Sequence, residues 1–395
     1  MMRTSGTEPS QAKNESRIHS EQGPLKGLKV LELNAIGPVP FAAGLLADLG
    51  ADVLRIEGPS APLDVVDEDL AVHLRGRSSV TLDLRDESGL SVARELISAA
   101  DVVLEGFRPG VMERLGLDPE VLISEDPRLI VGRMTGWGQQ GPLAGRAGHD
   151  IDYIAAAGAL RAFGRAGEAP VPPVNLVGDF GGGAMFLLVG VLAALWERGQ
   201  SGRGQIIDAA MVDGTAYLMM LVQSLAGQGL WDSANPGTNL LDTGAPFYDV
   251  YQCSDGQYLA VGCLEPKFYA EFADGIKLDA DAPEQYDRDQ WPELRRLITE
   301  RIRSKTRDEW EAIFIDTDAC VTGVRTSEEA AEHPHLAARG TYLSESPLQA
   351  APAPRFSRTP GRAIPRRDKV HGAAALTGWG IDEELAQKVV GDGDD

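Results

Sequence analysis

The chain has 395 residues, 43% of them hydrophobic and 24% charged, with a formal net charge of -22. At roughly 100–200 residues per domain, this length allows two or three domains, each able to bury a core. So much negative charge, with no Lys/Arg-rich block to offset it, excludes nucleic acid and anionic membranes as natural partners.

In chain order, residues 1–22 are polar and lack an apolar h-region, so they read as a disordered extension rather than a signal peptide. "LKVLEL" (28–33) suits a buried strand, "NAIGPVP" a turn, and "FAAGLLADLG" a helix that Gly50 can cap. "ADVLRIE" (51–57) is a second strand, which completes a βαβ unit. The alternation continues through "SSVTLDL" (strand), "GLSVARELISAA" (helix), "DVVLEGF" (strand) and "LIVGRMTGWG" (strand). This is the pattern of a doubly wound, Rossmann-like α/β domain, placed at 23–227. "AMFLLVGVLAALW" (184–196) is too short for a membrane span and predicts a helix buried on all sides, closed by Gly199 and Gly202.

After Gly227 the texture turns rich in Gly, Pro and Asp. "FYDVYQC" and "QYLAVGC" flank "SDG" as a hairpin, and "WPELRRLITERIRSK" and "RDEWEAIFID" follow as helices. A smaller α+β domain is expected at 228–338. A Pro/Arg-rich C-terminal segment with a short helix and an acidic tail then fills 339–395. The three cysteines, Cys253, Cys263 and Cys320, form no CxxC pair, which fits a reducing cytoplasm and speaks against a structural zinc.

The first βα turn lacks GxGxxG, so the acid at the end of the second strand, Glu57, reads as a solvated strand end rather than a ribose ligand. "VNLVGDFGGGAMFLLVG" sets Asp179 before three glycines and a helix. That is either an oxyanion-stabilising helix start or a plain N-cap. "AGHDIDYI" sets His149 beside Asp150, either a functional pair or a satisfied structural histidine. Glu265 closes an apolar strand before Pro266, where a helix N-terminus favours an acid in any case.

Taken in order, "GPLKGLKVLEL", "LLADLGADVLRIE", "EGFRPGVMERLGL", "RMTGWGQQGP", "AGHDIDYI", "PVNLVGDFGGGAMFLLVG", "LDTGAPFYDVY", "AVGCLEPKFY" and "DACVT" resemble the family III CoA-transferase group and, within it, its α-methylacyl-CoA racemases. The likeness runs from Gly23 to about Pro365. It implies a large Rossmann-like domain and a smaller one, two subunits interlocked as a homodimer, and an active site between the large domain of one subunit and the small domain of the other. It also implies two bases, His149 and Asp179, with Glu265 as the acid that orients the histidine. The transferases of the group use the Asp179 position as a nucleophile, lack the histidine and carry a glycine-rich loop that this sequence does not have.

The resemblance further implies CoA contacts at Ile36, Arg75, Leu82, Asp83, Leu84, Arg85, Gly106, Arg108, Arg114, Ala147, Gly148, Asp150 and Tyr153. Two departures stand out: Gly58 replaces the family's Arg before Pro59, and Asp152 replaces an Asn. Arg55 or Arg75 is a candidate to compensate for the first, and the second places an extra carboxylate near the thioester. Met185, Met211, Met219 and Met220 are either acyl-path or core residues. The expectation is a cytoplasmic isomerase of 2-methyl-branched acyl-CoA thioesters that needs no metal or organic cofactor, since CoA enters as part of the substrate. The alternatives are CoA transfer through Asp179 and non-catalytic binding of CoA thioesters.

Overall fold

Six apolar runs become parallel strands: β1 (Lys29–Leu33), β2 (Asp52–Glu57), β3 (Arg77–Thr81), β4 (Val102–Glu105), β5 (Ile130–Thr135) and β6 (Ile206–Ala210). They lie in the order β3-β2-β1-β4-β5-β6 in a computed structural model that describes residues 23–59 and 71–390. The expected N-terminal extension (1–22) and acidic tail (391–395) lie outside the described residues. The strand order is that of a doubly wound dinucleotide-type fold, whose direction of winding reverses between β1 and β4.

Side chains alternate across the sheet. Val30, Val53, Leu104 and Met134 face α1 (Pro38–Asp48) and Leu187, Leu188 and Val191 of the long helix Leu176–Ser201. Leu31, Leu54, Val103 and Val131 face α2 (Glu87–Ala99) together with Leu376 and Trp379 from the returning C-terminal segment. Gly50 ends α1 as the sequence indicates, at φ +98 with its N–H on Ala47 O. Glu57 is not a solvated strand end: Arg55 and Arg366 both pair with it.

The long helix departs from expectation. It is continuous over Leu176–Ser201, with a first part, Leu176–Ala184, in π-helical form, so it is long and apolar enough to cross a membrane by length and composition. Its α-helical part, Met185–Ser201, is buried on one side only. Met185, Val189, Leu192 and Trp196 form an exposed apolar stripe. Gly202 ends it in the left-handed conformation, whereas Gly199 lies inside it.

The chain divides into two compact units. The first takes residues up to Tyr153, Asn175–Tyr217 and the chain from Arg339 on; the second takes Ile154–Val174 and Leu218–Ala338. The second unit holds an antiparallel sheet of β7 (Tyr248–Gln252), β8 (Tyr258–Gly262) and β9 (Val321–Gly323). Its core gathers Phe247, Phe272, Trp291 and Trp310. Thr306 and Thr326 each start a helix with a reciprocal capping box to a glutamate three residues on.

Candidate active site

The loops after β1, β4 and β5 leave the sheet at its carboxyl edge, around the point where the winding reverses. Such a point opens a crevice in doubly wound sheets. Here it is a cavity of about 650 Å³. Ile36 and Gly37 line it from the first loop, Gly106, Phe107 and Arg108 from the second, and Gly136 and Trp137 from the third. Ala147, Gly148, His149, Asp150 and Tyr153 complete one wall, and Asn175 and Asp179 another.

His149 precedes a short helix, Asp150–Ala156. Its backbone N–H donates to Asp152 Oδ2 at 2.9 Å, the returning half of a capping box. The Asp152 side chain therefore caps the helix that His149 precedes. The imidazole is exposed toward the cavity, while Asp150 is only 6% exposed. Tyr153 donates its hydroxyl to Gly148 O and packs edge-on against Trp137, ring centroids 4.9 Å apart. No side chain fits at Gly136, because a Cβ there would lie 2.0 Å from the Tyr153 ring.

Asp179 is not an N-cap. The helix begins at Leu176, so Asp179 sits inside the π-helical turn, a geometry common at functional sites. Glycines permit the close packing behind it: a Cβ on Gly182 would meet Thr215 N at 2.7 Å. The Asp179 N–H donates to Asp150 Oδ1 at 2.7 Å, so this donor is engaged rather than open to a ligand. Asn175 Nδ2 donates to Asp179 Oδ2 at 3.0 Å. Gly37, at φ +68, lies so close that a Cβ on it would be 3.0 Å from the same oxygen. Burial pushes the Asp179 carboxyl above its usual range, and the Asp150 charge adds to this. Asn175 and His149 act against it. Tyr153 also faces this group, and Asp179 helps burial to raise its hydroxyl.

The other expected contacts lie outside this cavity. Arg75 is held by Asp48, Gln349 Oε1 and the Ala350 carbonyl. Leu82 is core, Leu84 packs on the core, and Arg85 pairs with Asp83 in solvent. Asp83 lines a separate, smaller cleft with Thr81 and Asp86. Arg114 is exposed at the end of the helix Val111–Arg114. Arg55 donates to Glu32, Glu57, Asn34 and the Ala35 carbonyl, and so is not free to replace the arginine missing at Gly58. Of the candidate methionines, Met211 lines the cavity. Glu265 belongs to the second unit, where it is exposed and occupies the N-cap of Pro266–Gly275 without a capping bond.

Sequence reasoning missed Asn175, Gly37 and Arg146, all at the cavity. Gly37 had a signal, a glycine within the first βα turn just before Pro38. Asn175 had one in its spacing, four residues before Asp179.

Residues 25–368 match the model of CoA-transferase family III, and the chain belongs to that family. It is 42% identical over 366 residues to the mouse protein named alpha-methylacyl-CoA racemase, covering 91% of this chain and 94% of that one. The human protein of the same name is 43% identical over 351 residues, with 88% and 90% covered. Among solved structures, a CaiB/BaiF family protein from Brucella suis superposes with a TM-score of 0.74 at 26% identity, over 91% of this chain and 100% of that one.

Proposed function

We propose that this family III protein is an isomerase that inverts the α-carbon of 2-methyl-branched acyl-CoA thioesters by proton transfer between two bases. The observation that carries the reading is the cavity that His149 and Asp179 both line. The names of the mouse and human relatives support it.

The chemistry follows from the residue types. An α-proton next to a thioester is weakly acidic, so one group must remove it and another return a proton on the opposite face. An imidazole titrates near neutrality and can take either role. A carboxyl acting as its opposite number must hold a proton in one direction, and burial of Asp179 favours the protonated form. Arg108 and Arg146 at the cavity give a strongly acidic protein local positive charge for the phosphates of CoA. Glu265 is assigned, through the family resemblance, to orient the imidazole. The reading includes a homodimer, for which the exposed stripe of Met185, Val189, Leu192 and Trp196 offers an apolar face.

The test starts from one pure epimer of a 2-methylacyl-CoA and follows the stereochemistry of the thioester, with and without a free carboxylic acid. Inversion without the acid supports the isomerase. CoA movement that requires the acid would instead make Asp179 a nucleophile, as in the transferases.

A further inference from the structure

Two buried charge clusters flank the crevice, one on each face of the sheet: Glu32 with Arg55 and Arg77, and Glu105 with Arg133. In register, β1 Glu32 lies opposite β2 Arg55, and β4 Glu105 opposite β5 Arg133. Glu32 shares the face of Val30, and Glu105 the face of Val103, which is the other side. Both carboxylates are fully buried, and both arginines nearly so. These are the strands on either side of the point where the winding reverses.

Each pair also holds the loop that follows its own carboxylate strand. Arg55 pairs with Glu32 and sends Nη2 to the Ala35 carbonyl at 3.2 Å and to Asn34 Oδ1 at 3.1 Å. Two residues beyond Ala35 comes Gly37, the backbone against which the Asp179 carboxyl rests. Glu105 receives Arg133 Nε on Oε1 at 2.8 Å and the Phe107 N–H on Oε2 at 2.7 Å. Phe107 stands between Gly106 and Arg108, and all three line the cavity.

A buried ion pair is weak evidence for a gain in stability, because well-packed apolar residues commonly do as well. What apolar residues cannot do is reach a loop carbonyl or a loop N–H at a fixed distance. We propose that Arg55 and Glu105 are positioning residues with separate effects. Arg55 sets the loop against Asp179 and thereby governs the chemical step. Glu105 sets the loop at 106–108 and thereby governs affinity for the thioester. The proposal rests on the isomerase reading of the crevice.

The test compares Arg55→Lys with Glu105→Gln by epimerisation kinetics and thermal melting of the full chain. Lysine can still pair with Glu32 but has no fork to reach the Ala35 carbonyl. Glutamine has one acceptor oxygen for two donors. Arg55→Lys is expected to lower kcat by about tenfold or more with KM within about twofold, since small misplacements of reacting groups are costly. Glu105→Gln is expected to raise KM by about fivefold with kcat within about twofold, roughly 1 kcal/mol of binding. If either variant fails to fold, Asn34→Ala replaces the first and Arg133→Lys the second, with the same directions expected.

A lower kcat, a higher KM and a lower Tm in parallel in both variants would overturn the proposal and leave the pairs merely structural. So would an unchanged kcat in Arg55→Lys or an unchanged KM in Glu105→Gln. If the unmodified protein moves no α-proton at all, the isomerase reading fails by itself. Calorimetric titration with CoA then still tests Glu105: about fivefold weaker binding in Glu105→Gln supports its role, and equal binding overturns it.

Discussion

Asp150 Oδ1 accepts the backbone N–H of Asp179 at 2.7 Å. The residue that follows His149 thus holds the π-helical turn that carries Asp179. Two segments 29 residues apart in sequence are locked together through one buried carboxylate. Its other oxygen is buried with no hydrogen-bond partner among the described residues, and the charge of Asp150 adds to the effect of burial on Asp179.

The charge of Asp150 helps burial raise the Asp179 carboxyl, so removing it has a definite sign. Asp150→Asn keeps an oxygen for the Asp179 N–H but deletes the like charge. The step in the pH–rate profile that belongs to Asp179 should then move to lower pH. His149, Tyr153 and Asn175 face the same group and stay unchanged in the comparison. A profile fixed in position would separate Asp150 from Asp179.

Asp179→Asn should abolish inversion, with a loss of at least about 10²-fold, as expected for removal of a proton-transfer group. It should also stabilise the fold near neutral pH. A carboxyl raised in the folded state contributes stability that is present below its unfolded value of about 3.8 and lost as pH climbs through the raised one. The gain in Tm over wild type should therefore be largest above that window and vanish below about pH 3.8. Melting curves at several pH values read this directly.

Gly37→Ala introduces a side chain where φ is +68 and Asp179 Oδ2 is 3.0 Å away. With ψ at -112 the residue lies outside the left-handed helical well, and the cost in stability should be about 1–3 kcal/mol from the backbone alone. Activity should fall about tenfold or more, because the carboxyl is displaced. Gly27→Ala is the control. Its φ is +86 but nothing among the described residues lies within 4 Å of the added carbon, so it should lose stability and keep the activity.

The α/β class was legible because the strands and helices of the first unit obey their periods without interference. "LKVLEL" and "ADVLRIE" are short buried runs around an apolar helix, and they became β1, β2 and α1. The site was half legible. His149 and Asp179 announced themselves by type and by their glycine neighbours, and the cavity holds both. The π-helical start at Leu176 was not legible, because glycines leave the backbone free and packing against Thr215 decides. Burial all round the helix after Ala184 was wrong, since apolar composition does not say which side faces the sheet. Glu32 and Glu105 had a visible signal, a single acid inside an otherwise apolar strand. Their partners needed the register, which sequence periodicity does not supply.

Asp152→Ala should destabilise the helix below His149 by about 0.5–2 kcal/mol through loss of the returning cap bond. Asp152→Asn keeps an acceptor oxygen and should melt and react nearly as wild type does. If the asparagine variant instead changed the acyl range, the carboxylate charge rather than the cap would be its role.

The reading as a whole stands or falls on the α-proton. One pure epimer of a 2-methylacyl-CoA, incubated with the protein in deuterated water without any acceptor acid, is followed by proton NMR. Loss of the α-proton signal together with appearance of the other epimer, abolished in His149→Ala, is the expected result. Retention of the α-proton with wild-type protein, and CoA release to an added carboxylic acid, would contradict it.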